Sequence, residues 1–306
     1  MRRSEETTLE YTENGNGRTR HVTLIDPAKQ DPNTAANRAM VAIEAGSAMI
    51  FVGGSTDTPD EIVHATCVAI QEAFELRAFA ASQDPDGDES MWHIPVVLFP
   101  GGAHALSPAA DAITFMMLMN STERRFLVGE QIRGAPYLQK FGVEALPTGY
   151  VVCAPGGRVG EVGSAELVQP DDYDLVHAYA LTAQMYGFKL LYLEPGSGAS
   201  TQVSPALIKR AREVEGLTLV VGGGIRTPEQ AERAAQAGAD WVVTGTHTED
   251  AADLDELRSR ISSVLKALTR LQHADSLFAL RLFYQQRRAR RSPKPVQATA
   301  PIGQAV

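Results

Sequence analysis

The strongest fold signal in this chain is the segment Tyr192-Leu193-Glu194-Pro195-Gly196-Ser197-Gly198. It follows an apolar run, so it predicts a buried strand that ends in a carboxylate and a glycine-rich turn. The pattern recurs twice: Leu217–Val221 leads into Gly222–Gly224, and Trp241–Thr244 leads into Gly245-Thr246. Backbone N–H groups in such turns can bind an anion without charged side chains. Three consecutive strand ends therefore predict a phosphate site.

Predicted strands and helices alternate from residue 21 to residue 273. Eight strands, with helices after most of them and ligand-type residues at their C-terminal ends, predict a (β/α)8 TIM barrel of about 250 residues. An open doubly wound sheet is the alternative, but it usually has one phosphate loop. Residues 100–111 are short and rich in Gly and Pro, so one peripheral helix is predicted to be missing. The strands are expected at 21–26, 48–52, 94–99, 112–119, 146–153, 188–193, 217–221 and 241–244.

Three regions are predicted along the chain: a flexible N-terminal arm (1–20), the barrel (21–273) and a basic tail (274–306). Within the barrel, residues 79–93 are expected to form an exposed insertion. The tail is interpreted either as a disordered terminus or as a contact for anionic lipid headgroups, and so as a peripheral membrane contact. Its basic residues are Arg287, Arg288, Arg290, Arg291 and Lys294.

Composition limits the function classes. The net charge of −9 over 306 residues argues against a nucleic-acid-binding protein. The two cysteines, Cys67 and Cys153, are too few for a disulfide framework and are interpreted as small buried side chains. No apolar run approaches the ~20 residues of a membrane span, and the N-terminus lacks the apolar core of a signal peptide. A cytoplasmic location is expected.

Two helix starts carry the pattern of a capping box, in which the first and fourth residues satisfy each other's backbone. One is Thr58–Glu61 and the other is Thr227–Gln230, and both have proline at the second position. The second directly follows the triple glycine, so it predicts a helix N-terminus that points at the phosphate site.

Two acidic positions could carry chemistry. Asp26 ends the first strand and is interpreted either as a magnesium ligand or as a cap for the next loop. Ser55, at the end of the second strand, could add a hydroxyl to the same ion or merely form a tight turn. Glu194 ends the sixth strand, where it could accept a proton from a hydroxyl bound at the phosphate site. Its structural alternative is a salt bridge.

Other side chains near these positions have open roles. Tyr192 could bond a polar substrate or fill the barrel interior. Lys29 could pair with a diphosphate or be solvated, and Arg226 could reinforce the bound anion or face the solvent. The triple glycine, Gly222–Gly224, makes little sense as packing and favours a close approach of backbone to ligand.

Two other functions remain open on the residues alone. A sugar-phosphate isomerase or aldolase would need a lysine or paired acids at strand ends, and only Lys29 and Lys189 come near, Lys189 at a strand start. A non-catalytic phosphate or lipid carrier would need neither Asp26 nor Glu194.

Taken together, these motifs resemble the geranylgeranylglyceryl phosphate synthase family, which includes the related heptaprenylglyceryl phosphate synthases. The matching segments occur in family order over residues 21–247. They are Leu24–Lys29, Val52–Ser55, Asn120-Ser121, Pro147–Tyr150, Tyr192–Gly198, Val221–Arg226, Gly238–Asp240 and Thr244–Thr246.

The resemblance implies a modified barrel that lacks one peripheral helix. It implies a prenyltransferase that joins the C3 hydroxyl of sn-glycerol 1-phosphate to an allylic prenyl diphosphate, here geranylgeranyl, and that works as a homo-oligomer. It implies Mg²⁺ bound by Asp26 and Ser55, and catalysis by Glu194 with Tyr192. Glycerol phosphate would be held by Tyr192, Leu193, Glu194, Pro195, Gly196, Ser197, Gly198, Gly223, Gly224, Gly245 and Thr246.

The chain also departs from the family. It lacks the lysine that some members carry two residues before the aspartate equivalent to Asp26. The acidic insertion and the basic tail have no counterpart in the resemblance, so no role is implied for them.

Overall fold

A computed structural model describes residues 6–54 and 58–269 of the chain. Eight parallel strands follow one another around a closed barrel, in which the last strand pairs with the first. The strands are β1 (Arg20–Ile25), β2 (Met49–Gly53), β3 (Val96–Phe99), β4 (Ala112–Leu118), β5 (Glu144–Val152), β6 (Leu190–Glu194), β7 (Thr218–Val221) and β8 (Trp241–Thr244). The predicted TIM barrel is confirmed.

Helices surround this barrel in the described residues. They are α1 (Thr8–Glu13), α2 (Pro32–Ala45), α3 (Asp60–Ser82), α4 (Glu130–Phe141), α5 (Gly157–Val162), α6 (Tyr173–Met185), α7 (Pro205–Arg212), α8 (Pro228–Gln236), α9 (Thr246–Glu249) and α10 (254–269). A 3-10 turn lies at Glu89–Trp92, and a π-helical turn at Arg125–Gly129 leads into α4.

Strand side chains alternate between two cores, as the period of a β-strand requires. One set points into the barrel, where Phe99, Tyr150 and Tyr192 pack with ring centroids 5.2–6.1 Å apart. The other set points outward, where Leu191, Leu193 and their neighbours pack under the helices. Buried on both faces, the strands read as continuous apolar runs, and this is why the sequence shows them clearly.

Residues 100–111, all of which the structure describes, contain no helix, so the predicted loss of one peripheral helix is confirmed. Polar contacts tie this loop to the helices on either side. Asp60 of α3 accepts a bond from the Leu106 N–H at 3.1 Å, and Glu130 of α4 accepts one from the Ala103 N–H at 2.8 Å. The loop is therefore an ordered wall between α3 and α4, and it leaves space that a helix would fill.

Residues 6–20, the described part of the predicted flexible arm, contain a helix. Residues 8–13 form α1, which covers the N-terminal end of the barrel. The indole of Trp241 donates to the Thr12 carbonyl at 3.0 Å, and Glu144 accepts from the N–H groups of Thr8 and Leu9 at 2.7 and 3.0 Å. Arg20 adds its guanidinium, 3.8 Å from the centroid of the Trp241 ring. These contacts outweigh the weak helical propensity of the segment.

The two capping-box predictions had different outcomes. Thr227 and Gln230 form the box at the start of α8, as predicted. The box at Thr58 is wrong, because Pro59 occupies the cap position in an extended conformation and the helix starts one residue later. Thr58 is thereby placed outside the helix, where its side chain makes no cap.

The structure also describes the cysteines and the predicted insertion. Both cysteines are buried and free, as expected, and no described helix is long and apolar enough to cross a bilayer. The expected insertion is partly helical, since α3 continues to Ser82, and exposed residues follow it at 83–91. The tail lies outside the described residues.

Candidate active site

A cavity opens where β6, β7 and β8 end, at the C-terminal face of the barrel. Most of the predicted phosphate-binding residues meet there. Its lining consists of Leu24, Tyr192, Glu194, Ser197, Gly198, Gly223, Gly224, Ile225, Arg226, Val243, Gly245 and Thr246. Three glycine loops that are far apart in the sequence therefore enclose one space.

The loop after β7 requires its glycines. Gly223 and Gly224 have φ angles of +70° and +65°, a region that other residues rarely adopt. A Cβ on Gly224 would lie 2.1 Å from the Thr201 carbonyl oxygen, and one on Gly222 would lie 2.0 Å from the Tyr192 hydroxyl. Among the described residues, none accepts a hydrogen bond from the N–H of Gly223 or Gly224. The loop thus offers N–H groups to an anion.

Arg226 links two of these loops. Its guanidinium donates to the Gly198 carbonyl at 2.9 Å, while its backbone N–H donates to the Gln230 side chain at 2.7 Å. The first bond joins the loop after β6 to the loop after β7, and the second joins that loop to the start of α8. The backbone of the loops after β6 and β7 is therefore held in place by Arg226.

Glu194 is the carboxylate at the edge of this cavity, and it is 5% exposed. The Tyr150 hydroxyl donates to its Oε2 at 2.9 Å. Burial raises the pKa of Glu194 to about 7, although hydrogen bonds from Tyr150 and Tyr192 act in the opposite direction. A carboxyl group with a pKa near neutrality is poised to accept a proton, so the geometry supports the predicted base.

Tyr150 also borders a second, apolar cavity of about 130 Å³ that runs between β4 and α4. Its lining is Pro100, Gly101, Gly102, Ala103, Leu106, Ile113, Thr114, Phe115, Met116, Leu118, Phe126, Glu130, Gln131, Gly134, Leu138, Tyr150, Val159, Val162 and Gly163. This apolar groove occupies the side of the barrel where the helix is missing. Tyr150 lines the groove and Glu194 lines the first cavity, so their hydrogen bond connects the walls of the two cavities.

Sequence reasoning assigned no role to Tyr150. The signal was present, because Tyr150 pairs with Tyr192 in the register of β5 and β6 and shares its inward direction. The role of Tyr150 was missed because an inward-pointing tyrosine in a strand is equally typical of a residue that packs the barrel interior.

Asp26 follows β1 and lies at the same end of the barrel as the glycine loops, since all strands are parallel. Its side chain is buried, with Oδ1 accepting from the Ala28 N–H at 3.0 Å. A Cβ on Gly54 would lie 2.8 Å from Asp26 Oδ2, so the loop after β2 approaches the carboxylate closely. Ser55, the other predicted metal ligand, lies outside the described residues.

The donor set around Asp26 fits magnesium bound together with a substrate. In the described residues, His, Cys, Asp and Glu side chains form no group of three or more that could hold a metal. Magnesium commonly takes one or two carboxylates and completes its shell with phosphate oxygens and water. A single buried carboxylate beside a glycine loop suits that mode.

Three predicted contacts are placed differently by the structure. The Leu193 side chain points into the outer core, away from the cavity, because it alternates with Tyr192 and Glu194 along β6. Pro195 and Gly196 do not line the cavity either. They pack under it, with Gly196 against the Gly156 carbonyl and the Pro195 ring next to Gly223. Their contribution is the shape of the loop.

Comparisons with known proteins show the family of this chain. The PcrB family matches residues 87–268, more than half of the chain. Geranylgeranylglyceryl phosphate synthase from Methanothrix thermoacetophila is 42% identical over 235 residues, which cover 76% of this chain and 85% of that protein.

Two solved structures are also similar. Wild-type GGGPS from Thermoplasma volcanium has a TM-score of 0.77 at 38% identity, over 86% of this chain and 98% of that one. (S)-3-O-geranylgeranylglyceryl phosphate synthase from Thermoplasma acidophilum, solved with its substrate sn-glycerol-1-phosphate, has a TM-score of 0.76 at 35% identity and the same coverage. The chain therefore belongs to the PcrB family, together with the geranylgeranylglyceryl phosphate synthases.

Proposed function

We propose that this protein is a prenyltransferase that makes the ether bond of geranylgeranylglyceryl phosphate. It joins the C3 hydroxyl of sn-glycerol 1-phosphate to geranylgeranyl diphosphate and releases diphosphate. The observation that carries this proposal is Glu194, a buried carboxyl group whose pKa is about 7. It lines a glycine-rich cavity and accepts a hydrogen bond from Tyr150, which lines an apolar groove. The names of the relatives supply the identity of the substrates.

The glycerol phosphate suits the cavity of the glycine loops. Its phosphate would accept hydrogen bonds from the N–H groups of Gly223 and Gly224 and from the loop at Gly245-Thr246. The N-terminus of α8 comes shortly after the loop of Gly223 and Gly224, and a helix N-terminus favours negative charge near it. Anchoring the phosphate leaves the hydroxyl end of the short glycerol backbone free to reach Glu194.

The prenyl chain suits the apolar groove between β4 and α4. Apolar side chains dominate its lining, so an isoprenoid would lose its contact with water on binding. Tyr150 of the groove wall is hydrogen-bonded to Glu194, so the reactive end of the chain would lie near Glu194 and the opposite end under α4. The loss of the peripheral helix thus provides the room that a long lipid substrate needs.

The diphosphate would lie at the mouth near Asp26, with Mg²⁺ held by Asp26 and Ser55. Magnesium bound there would neutralise the diphosphate and make it a better leaving group. Asp26 provides the fixed negative charge for that binding, and the Ala28 N–H fixes the orientation of its carboxylate.

The proposed reaction breaks one carbon–oxygen bond, forms another and transfers one proton. The bond between the allylic carbon and the diphosphate oxygen breaks, and its electron pair leaves with the diphosphate. The C3 hydroxyl oxygen forms the new carbon–oxygen bond, and its proton passes to Glu194. The hydrogen bond from Tyr150 keeps the carboxylate oriented, while the closed barrel below excludes water that would compete for the allylic carbon.

One of the two lysines that an isomerase or aldolase could use is too far from the site. Lys189 precedes β6 and lies 4.0 Å from Glu13 of α1, at the end of the barrel opposite the glycine loops. Lys29, at the correct end, is paired with a carboxylate. A phosphate carrier would gain nothing from burying Glu194 at a cost in stability.

A product assay tests the proposal. The purified protein is incubated with Mg²⁺, geranylgeranyl diphosphate and either enantiomer of glycerol phosphate, and the products are identified by mass spectrometry. Ether product from sn-glycerol 1-phosphate is expected, with Glu194→Gln and Asp26→Asn each at least ~100-fold slower. Omission of Mg²⁺ should stop turnover. Isomerised glycerol or sugar phosphates without ether product would contradict the assignment.

A further inference from the structure

A salt bridge joins the loop after β1 to the short helix α9, which follows β8, at the mouth of the barrel. The Nζ of Lys29 lies 2.6 Å from Oε2 of Glu249 and 3.7 Å from Oδ2 of Asp26. The two carboxylate side chains are 11% and 6% exposed, whereas the lysine side chain is 49% exposed. The ammonium is therefore held by two nearly buried carboxylates and still has an open side.

Hydrogen bonds to backbone carbonyls hold both ends of this bridge. The Lys29 N–H donates to the Asp26 carbonyl at 3.2 Å. Arg38 of α2 donates to the carbonyls of Thr248, Glu249 and Ala251 at 3.1–3.2 Å. These last bonds satisfy carbonyl groups at the end of α9, where a cation is favourable. Glu249 is thus held at the seam between the first and last strands.

The charges at this seam are mostly negative. The carboxylates of Glu249, Asp26 and Asp250 all act on the Lys29 ammonium. A diphosphate that approaches Asp26 would be repelled by this group unless positive charge offsets it. Magnesium would offset the charge of Asp26, but Glu249 and Asp250 would remain. Lys29 is paired with the carboxylates of Asp26 and Glu249, whereas the nearby Arg38 is bonded to backbone carbonyls.

We propose that Lys29 is a second cationic contact for the diphosphate of the prenyl substrate and that Glu249 positions it. This inference rests on the proposed function and extends it to the leaving group. As the allylic carbon–oxygen bond breaks, negative charge grows on the diphosphate, and the ammonium stabilises it through charge-assisted hydrogen bonds. Lys29 keeps its proton throughout, because the proton of the glycerol hydroxyl goes to Glu194.

Binding of inorganic pyrophosphate tests this role without turnover. Isothermal titration calorimetry with Mg²⁺ is carried out on the full chain and on Lys29→Met, Lys29→Arg, Glu249→Gln and Lys189→Met. Lys29→Met should bind pyrophosphate about 10- to 100-fold more weakly, the range for losing one charge-assisted bond. Its affinity for sn-glycerol 1-phosphate should not change, and Lys29→Arg should recover most of the loss.

The matched control is Lys189→Met. Lys189 is also 49% exposed and also faces a glutamate, Glu13, but it lies at the opposite end of the barrel. Its replacement removes the same charge from the protein and should leave pyrophosphate binding unchanged. If both variants lost the same pyrophosphate affinity, the change in net charge alone would explain the result, and the proposal would be overturned.

Glu249→Gln separates positioning from metal binding. If Glu249 acts through Lys29, Glu249→Gln should lose less pyrophosphate affinity than Lys29→Met does. The double variant should then bind pyrophosphate as tightly as Lys29→Met alone. Additive losses, or a higher Mg²⁺ requirement in Glu249→Gln only, would make Glu249 a ligand of the ion and overturn its positioning role.

Two further results would contradict the role of Lys29. One is pyrophosphate binding in Lys29→Met as tight as in the parent chain. The other is a parallel loss of pyrophosphate, glycerol phosphate and thermal stability, which would make the bridge a structural clamp of the seam. Failure of the parent to form ether, with pyrophosphate binding still dependent on Lys29, would refute the proposed reaction but not the contact.

Discussion

At the scale of single residues, Glu194 carries the main chemical prediction. Its pKa of about 7 means that the carboxylate form, the form that can accept a proton, is populated only as the pH rises through neutrality. The kcat/KM of the parent should therefore rise with pH and level off above about 7.

The hydrogen bond from Tyr150 stabilises that carboxylate and lowers its pKa. Tyr150→Phe should therefore move the acidic limb of the kcat/KM profile to higher pH and reduce its plateau. Tyr11→Phe, which removes a tyrosine hydroxyl bonded to the Ala48 carbonyl at the far end of the barrel, is the matched control. An unshifted limb in Tyr150→Phe would show that the titrating group is not Glu194.

The buried carboxyl group should also cost stability. Below its unfolded pKa of 4.5 it is protonated in both states, so there is no cost. The cost begins as the pH rises past 4.5 and is complete above the folded pKa of about 7, where it reaches about 3 kcal/mol.

Glu194→Gln should therefore be more stable than the parent at pH 8 and not at pH 4, since the amide stays neutral. Urea unfolding of both proteins at the two pH values measures this difference. A gain in stability that is the same at both values would contradict a desolvated carboxylate.

Sequence reasoning found Asp26 and Glu194 because an acidic residue directly after an apolar strand has a defined direction. It gave no role to Tyr150 and did not consider Glu249. Their roles depend on contacts with residues 44 and 220 positions away. Contacts of this kind follow from how the barrel closes and leave no local pattern.

At the scale of elements, the loop after β7 is constrained by conformation and by space. Gly224→Ala forces a side chain into the left-handed region and against the Thr201 carbonyl, so the loop must move. The KM for sn-glycerol 1-phosphate should rise at least about tenfold, as expected when charge-assisted bonds to the phosphate are lost.

Gly142 offers a matched control for that substitution. Its φ of +68° is nearly the same, but nothing lies within 4 Å of an added Cβ. Gly142→Ala should lower stability by about 1 kcal/mol through strain alone and leave the KM unchanged. Equal effects on KM in Gly224→Ala and Gly142→Ala would mean that the loop after β7 does not bind the phosphate.

The groove between β4 and α4 should set the length of the prenyl chain. Gly134 lines it, and an added Cβ would meet Leu106 and Ala103 at ordinary contact distances of 3.6 and 3.7 Å. Gly134→Ala should therefore be tolerated, whereas Gly134→Phe should fill the groove and favour farnesyl over geranylgeranyl diphosphate.

Mass spectrometry of the products from an equal mixture of the two diphosphates measures this preference. The KM for glycerol phosphate should stay the same in both variants, because Gly134 does not line the cavity of the glycine loops. An unchanged product ratio in Gly134→Phe would mean that the chain binds elsewhere.

At the scale of the whole molecule, the barrel could be predicted because its strands are buried on both faces and end in glycine or acid. The loop at 100–111 could be recognised as lacking a helix from its Gly and Pro content. The first helix could not, because its segment is polar and its stability comes largely from Trp241 and Glu144, which are distant in sequence.

That first helix should serve stability and not catalysis. Deletion of residues 1–13 would expose Trp241 and leave Glu144 without its partners, at a cost of about 2–4 kcal/mol. The midpoint of thermal unfolding should fall, while the KM for both substrates should be retained because the site lies at the opposite end. A changed KM at a temperature where the variant is folded would contradict this division.

The central claim is that glycerol phosphate lies with its phosphate on backbone N–H groups and its C3 hydroxyl at Glu194. A crystal structure of this protein with sn-glycerol 1-phosphate measures both contacts. We expect phosphate oxygens within about 3 Å of the N–H groups of Gly223, Gly224 and Thr246, and the hydroxyl at hydrogen-bond distance from Glu194. A phosphate bound at Asp26 and Lys29, or a hydroxyl turned away from Glu194, would contradict the account.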